Sequence, residues 1–132
     1  MVGEQDLKKL VASMSPVLMS GEYVFCTFKD AQYGDYQELE PVVTVQESEG
    51  LTLVVPKNRA DDHNLSYESV FKGITLSVHS SLDAVGLTAA FSSKLGDHGI
   101  SANVIAGYFH DHIFVQAELA DKAIEALNEL AN

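Results

Sequence analysis

The sequence carries a single cysteine, Cys26, so no disulfide can form within the chain. It sits in the apolar run "YVFCTF", where a small buried hydrophobe is the expected role and a reducing compartment is compatible with it. No apolar stretch reaches the length of a membrane span, and the N-terminus lacks the apolar core of a signal peptide. A cytoplasmic protein with no membrane partner is the expectation. Basic residues are scarce: eight face 19 acidic ones, for a formal charge of −11. Residues 1–65 hold five basic and eleven acidic residues, and residues 66–132 hold three and eight. No basic stripe is available to neutralise phosphates, so a nucleic-acid partner is not expected. The common catalytic signatures are missing too: no G-x-S-x-G elbow, no phosphate-binding glycine loop, no dinucleotide glycine pattern and no H-E-x-x-H. Cys26, in mid-strand among apolar neighbours, is a poor nucleophile. The expectation is a protein that is not an enzyme, with no catalytic residues and no cofactor.

What is present is an ordinary globular composition, 46% hydrophobic and 20% charged over 132 residues, enough for one compact unit with a real core. Residues 4–14 place Leu7, Leu10, Val11 and Met14 at helical spacing, with Glu4 and Lys8 as an i,i+4 pair. Tyr23–Phe28 reads as a central strand, apolar on both faces. The turn-rich stretch "KDAQYGDYQELEP" has no clear structure. Val42–Val45 and Leu51–Val55, joined by "ESEG", read as a hairpin ended by Pro56, and "NRADDHNL" can hold one short helical turn.

The second half is clearer. Ile74, Leu76 and Val78 alternate with Thr75, Ser77 and His79, as in a strand with one buried face. Leu87, Ala90, Phe91 and Leu95 form a helical stripe that Gly99 terminates. From Ile100 to Tyr108 the even positions are apolar, whereas from Ile113 to Ala117 the odd ones are. Asp121 can cap a last helix carrying Ala123, Ile124, Leu127 and Leu130. This βαββα series is one strand short of the ferredoxin-like βαββαβ. Tyr23–Phe28, or a strand of a second chain, would have to cover the open sheet edge. A weak repeat at an offset of 60 (Val55/Val115, Ala60/Ala120, Asp61/Asp121) points to two related halves, residues 1–65 and 66–132, the first degenerate because it lacks a helix between its first two strands. The fold class expected is α+β, a ferredoxin-like sandwich with an antiparallel sheet and helices on one face.

Two stretches could carry chemistry. In "VHSSLDAVGLTAAFSSKLGDHGISANVIAG" a polar loop leads into a helix opened by Gly86-Leu87. A helix start offers unpaired N–H groups to a carboxylate, Gly86 allows close approach, and Asp83 can accept from an ammonium. Together they could grip a zwitterionic head; equally, Asp83 could only cap the helix and Gly86 only make the turn. The second stretch is "GYFHDHIFV". His110, Asp111 and His112, with His79, are candidate ligands for zinc or nickel. Face counting opposes this. With Tyr108 opposite Ile113 and Phe109 opposite His112, His110-Asp111 becomes a two-residue hairpin turn, and no metal is expected. A Ser–His–Asp set within "VHSSLD" is too compressed for triad geometry. Asp61-Asp62, His63 and His98 read as solvated groups at segment ends.

The pattern D-x-x-G-L at Asp83–Leu87, a helix, then G-I-x-x-N at Gly99–Asn103 and an apolar strand resembles the ACT domain. The stretches "GEYVFCTF", "EGLTLVVP" and "GISANVIAGYFHDHIFV" further resemble small stand-alone bacterial ACT-like proteins with two such halves. The resemblance implies a ferredoxin-like fold, regulation by a small-molecule ligand (usually an amino acid), and pairing of domains within a chain or in a homodimer or higher homo-oligomer. It implies that Asp83, Gly86 and Leu87 contact ligand from the loop and helix start, while Ile100 and Asn103 line the site from the next strand. The commoner ACT loop has asparagine, then a proline before the glycine; this chain has Asp83 with Ala84-Val85 between. An adaptor that binds a protein partner without ligand is the alternative from another class.

Overall fold

The computed structural model describes residues 7–77 and 86–131. In chain order the elements are α1 (Leu7–Ser13), β1 (Pro16–Leu18), β2 (Tyr23–Phe28), a 3-10 turn (Gln37–Leu39), β3 (Val43–Glu47), β4 (Gly50–Pro56), α2 (Lys57–Asp62), β5 (Phe71–Leu76), α3 (Leu87–Asp97), β6 (Asn103–Ala106), β7 (Asp111–Gln116), a second 3-10 turn (Ala117–Leu119) and α4 (Ala120–Ala131). Two compact units result, one of Met1–Ser20 with Lys72–Asn132 and one of Gly21–Phe71.

In the larger unit the strands run in the order β1-β5-β7-β6. Of the alternation expected over residues 74–79, the described part is present: Ile74 and Leu76 are fully buried and pack in one core with Ile113 and Val115 of β7, while Val78 lies outside the described residues. Helices α1, α3 and α4 close that core with Leu10, Leu87, Phe91, Leu95 and Leu127. Burying each such side chain contributes about 1.5–3 kcal/mol relative to leaving it exposed. The stripe predicted on α3 is therefore the core-facing one. Its end is a full left-handed cap: Gly99 at φ +73° lets the Ile100 N–H donate to the Leu95 carbonyl and the Gly99 N–H to that of Gly96, both at 3.0 Å.

The strand missing from the βαββα series comes from the N-terminal arm, not from the segment expected. β1 pairs antiparallel with β5, Pro16 opposite Leu76 and Leu18 opposite Ile74. Proline is tolerated at the first residue of an edge strand, where its absent N–H breaks no ladder. Three residues, one of them a proline, between Ser15 and Met19 are too short to stand out as a strand. β2, the expected candidate, pairs all six of its residues with β4 and adds to β5 the single register pair Tyr23–Phe71, with the Phe25 ring edge-on to that of Phe71.

The hairpin of β6 and β7 also differs from expectation. Ile113 faces Val104 and His112 faces Ile105, so the connection is the four residues Gly107–His110, with Asp111 in the strand. Tyr108 and Phe109 leave the ladder and stand 71% and 66% exposed. The last helix starts before Asp121: the chain turns at Gln116 into the 3-10 turn, leaving Asp121 in the first turn of α4. There its charge still complements the helix dipole.

The smaller unit has the order β3-β4-β2 and no α-helix between its first two strands. The 3-10 turn at Gln37–Leu39 stands there and drives Leu39 into a core of Val24, Cys26, Leu51, Leu53 and Val55. The repeat suspected at an offset of 60 is geometric as well. Val43–Val54 pairing in β3/β4 becomes Asn103–Phe114 pairing in β6/β7, and the ladders continue in step. The corners after them match too, with Pro56 at φ −57°, ψ 134° and Gln116 at φ −52°, ψ 132°.

Candidate functional site

Asp83 and His79 lie outside the described residues. Gly86 occupies the cap position of α3 at φ +94°, a left-handed backbone that strongly favours glycine, and its carbonyl accepts the Ala90 N–H at 2.9 Å. A β-carbon there would come within 3.3 Å of Leu7 Cδ2, so the residue also serves packing against α1. Leu87 follows as a core residue, 4% exposed. Ile100 is likewise 4% exposed and belongs to the core beyond the other end of α3. Asn103 opens β6 and gives its Nδ2 to the Phe114 carbonyl at 3.1 Å, which leaves Oδ1 as its remaining polar atom.

Gly86 and Leu87 thus stand at the start of α3, and Ile100 and Asn103 follow its end, the first in the core and the second at the opening of β6. The eleven residues of α3 span about 16 Å at 1.5 Å each. From the first pair a ligand can be offered only backbone N–H groups of the helix start. Side-chain contact from Leu87 and Ile100 is limited to the core.

In the hairpin stretch, His110 is in the exposed connection and His112 on β7. His112 Nδ1 lies 3.0 Å from Thr75 Oγ1 on β5. Asp111 is partly withdrawn from water; that burial pushes its carboxyl above the usual range, and His112 offsets part of the effect. Among the described residues, no three or more His, Cys, Asp or Glu side chains gather closely enough to hold a metal ion. Asp61 is held by Lys57 Nζ at 2.9 Å and by Tyr67 Oη at 2.7 Å, bonds that lower its carboxyl below the usual range. His98 is half-buried rather than solvated, with Nε2 3.8 Å from Glu129 on α4. Burial raises the Cys26 thiol, away from thiolate chemistry. Among the described residues no helix is long and apolar enough to cross a membrane.

One feature is absent from the sequence expectations. The stretch after β2 forms an open cleft of about 480 Å³ lined by Thr27, Phe28, Lys29, Asp30, Ala31, Asp35 and Tyr36. Its sequence signal was a long loop with two Asp, two Tyr and one Gly inside a compact domain, where such loops are commonly functional.

Two ACT domain models match the chain in tandem, one over residues 2–72 and the other over residues 68–129. A crystal structure of a Vibrio cholerae protein of unknown function, described as a possible transport protein, is 56% identical, with 96% of each chain covered and a TM-score of 0.88. A protein from Agrobacterium tumefaciens is 15% identical over 89% of each chain, with a TM-score of 0.66. The ligand-free regulatory subunit of aspartate kinase from Thermus thermophilus is 11% identical, covering 87% of this chain and 95% of its own, with a TM-score of 0.64. At such identities the last two share the fold alone. No curated protein sequence matches significantly. With both ACT models in place and together spanning nearly all of its length, the chain belongs to the ACT domain family.

Proposed function

We propose that this protein is a non-enzymatic regulatory module that senses a small molecule, an amino acid being the expected class, in the cytoplasm and without a cofactor. Its halves, residues 1–65 and 66–132, are read as copies of one module, and the assembly as a homodimer or higher homo-oligomer. The tandem ACT match carries this reading, and the likeness to regulatory subunits of aspartate kinase supports it. Asp83 would meet the ammonium, the backbone at Gly86-Leu87 the carboxylate, and Asn103 would add a polar contact. With Asn103 at the far end of α3, its side chain would serve a ligand held against a neighbouring ACT domain rather than the same one, and Ile100 would only support it from the core.

Thermal melting against the common amino acids, nucleotides and divalent metals tests this. A ligand at 100 times its dissociation constant adds about 2.7 kcal/mol, and Asp83→Ala should abolish the shift. A response to no metabolite would sink the sensor reading. It would favour a protein-interaction adaptor, which the exposed, edge-to-face Tyr108–Phe109 pair at the β6–β7 connection supports.

A further inference from the structure

We propose that Met19 is an oxidation site for hydrogen peroxide, and that its sulfoxide unclips the N-terminal strand β1 from β5. This modification site is independent of any ligand at the start of α3.

Phe114 stands between Ile113 and Val115 on β7. Those two belong to the helix-covered core, whereas Phe114 does not, although it is only 1% exposed. Successive side chains of a strand point to opposite faces, so Phe114 lies on the face away from the helices. Met19, the residue just past β1, reaches it there. The Met19 sulfur and the Phe114 ring converge over Gly73: a β-carbon on residue 73 would collide with Met19 Sδ and lie 3.1 Å from Phe114 Cε1. Thioether sulfur and aromatic ring attract one another at such separations. Gly73 is thus the seat of the thioether, and a side chain at that position would displace it. The main chain joins the same two residues, the Met19 N–H donating to the Gly73 carbonyl at 2.8 Å.

This contact fastens the weakly held part of the arm. β1 contributes only three residues to the sheet. At its other end the Ser77 N–H donates to the Ser15 carbonyl at 2.9 Å. Leu10 and Met14 anchor α1 separately, within the helix-covered core. β1 can therefore open at Met19 while α1 stays docked.

Access selects Met19 over Met14, which is 4% exposed, whereas Met19 is half-buried. In the reaction a sulfur lone pair attacks one peroxide oxygen and an S=O bond forms as the O–O bond breaks. The departing oxygen takes up the proton released and leaves as water; sulfur loses two electrons and the peroxide gains them. Oxidation turns a flexible apolar side chain into a polar one. Over Gly73 the new oxygen meets an aromatic ring, and a polar group buried without a donor is costly. The oxidised side chain moves out to water, the seat empties, and the Met19–Gly73 hydrogen bond loses its cover. Thiol-dependent sulfoxide reductases reverse this class of oxidation, so the mark can be reset.

The experiment treats the full chain with hydrogen peroxide at neutral pH, maps oxidation by peptide mass spectrometry, and follows amide hydrogen exchange by NMR. Met19 should gain one oxygen well before Met14 does. In the Met19-oxidised protein the amides of Met19 and Ser77 should exchange about tenfold faster, as expected for the loss of one hydrogen bond, while those of α3 keep their protection. Met19→Leu fills the seat without an oxidisable sulfur, so peroxide should leave its exchange pattern unchanged. Met19→Gln places a polar group on the seat and should speed exchange at Ser77 without peroxide. Oxidation of Met19 no faster than Met14, or complete oxidation with unchanged exchange at Met19 and Ser77, overturns the proposal. So does a peroxide response that persists in Met19→Leu, which would assign the effect to another residue such as Cys26.

Discussion

Asp111 shows how one residue's role depended on a pairing that the sequence left open. Placed in a turn it would be solvated; placed opposite Ala106 at the start of β7 it is partly buried. Burial raises its carboxyl, so between the ordinary and the raised value the folded protein binds more protons than the unfolded chain. Stability contributed by this group therefore falls as pH rises through that window. Asp111→Asn should melt above the parent protein at pH 7, and the gap should close as pH falls to about 4, where the unfolded carboxyl also protonates. Paired melting curves at the two pH values check this. A gap independent of pH would mean that ionisation of Asp111 is not its cause. Gly86, by contrast, was legible from sequence, because a glycine just before a helical stripe has few other reasons to be there.

At the scale of elements, face counting succeeded in parity and failed in register. Even-numbered residues of β6 do face odd-numbered residues of β7, yet Ile113 opposes Val104 rather than Tyr108. A strand pattern of period two looks the same after any even shift, so it cannot choose among such registers. The turn chooses. Gly107 donates its N–H to the His110 carbonyl at 3.0 Å, and a β-carbon on Gly107 would lie 2.6 Å from that same oxygen. Gly107→Ala should therefore destabilise the protein by about 1–3 kcal/mol, the usual cost of overpacking, measurable as a lower midpoint in urea. Helix α3 carried stronger signals: an apolar stripe at helical spacing and a glycine stop, both local, and both were realised.

At the scale of the whole molecule, core membership departs from chain order. Leu10 and Met14, 0% and 4% exposed, pack among Phe91, Ile113 and Leu127, residues distant from them in the chain. Truncating one such leucine costs roughly 2–5 kcal/mol, and small domains hold only about 5–15 kcal/mol in total. Residues 72–132 expressed alone should thus give poorly dispersed NMR spectra. A permuted chain that appends residues 1–20 after a linker should recover dispersion. Native-like spectra from the fragment alone would refute the structural role of the N-terminal arm.

By itself the sequence determined the α+β class, the order of strands and helices in the second half, the core stripe of α3, its glycine stop and the two-half repeat. Those features are written in local periodicity and in residues with few conformational alternatives. Tertiary structure alone decided that Pro16–Leu18 completes the sheet beside β5, that the β6–β7 hairpin turns at Gly107–His110, that Gly86 and Asn103 lie at opposite ends of α3, and that the loop after β2 lines an open cleft. Each of these rests on contacts between residues distant in the chain. Pairing partners and loop shape come from packing, and a pattern read along the chain does not contain them.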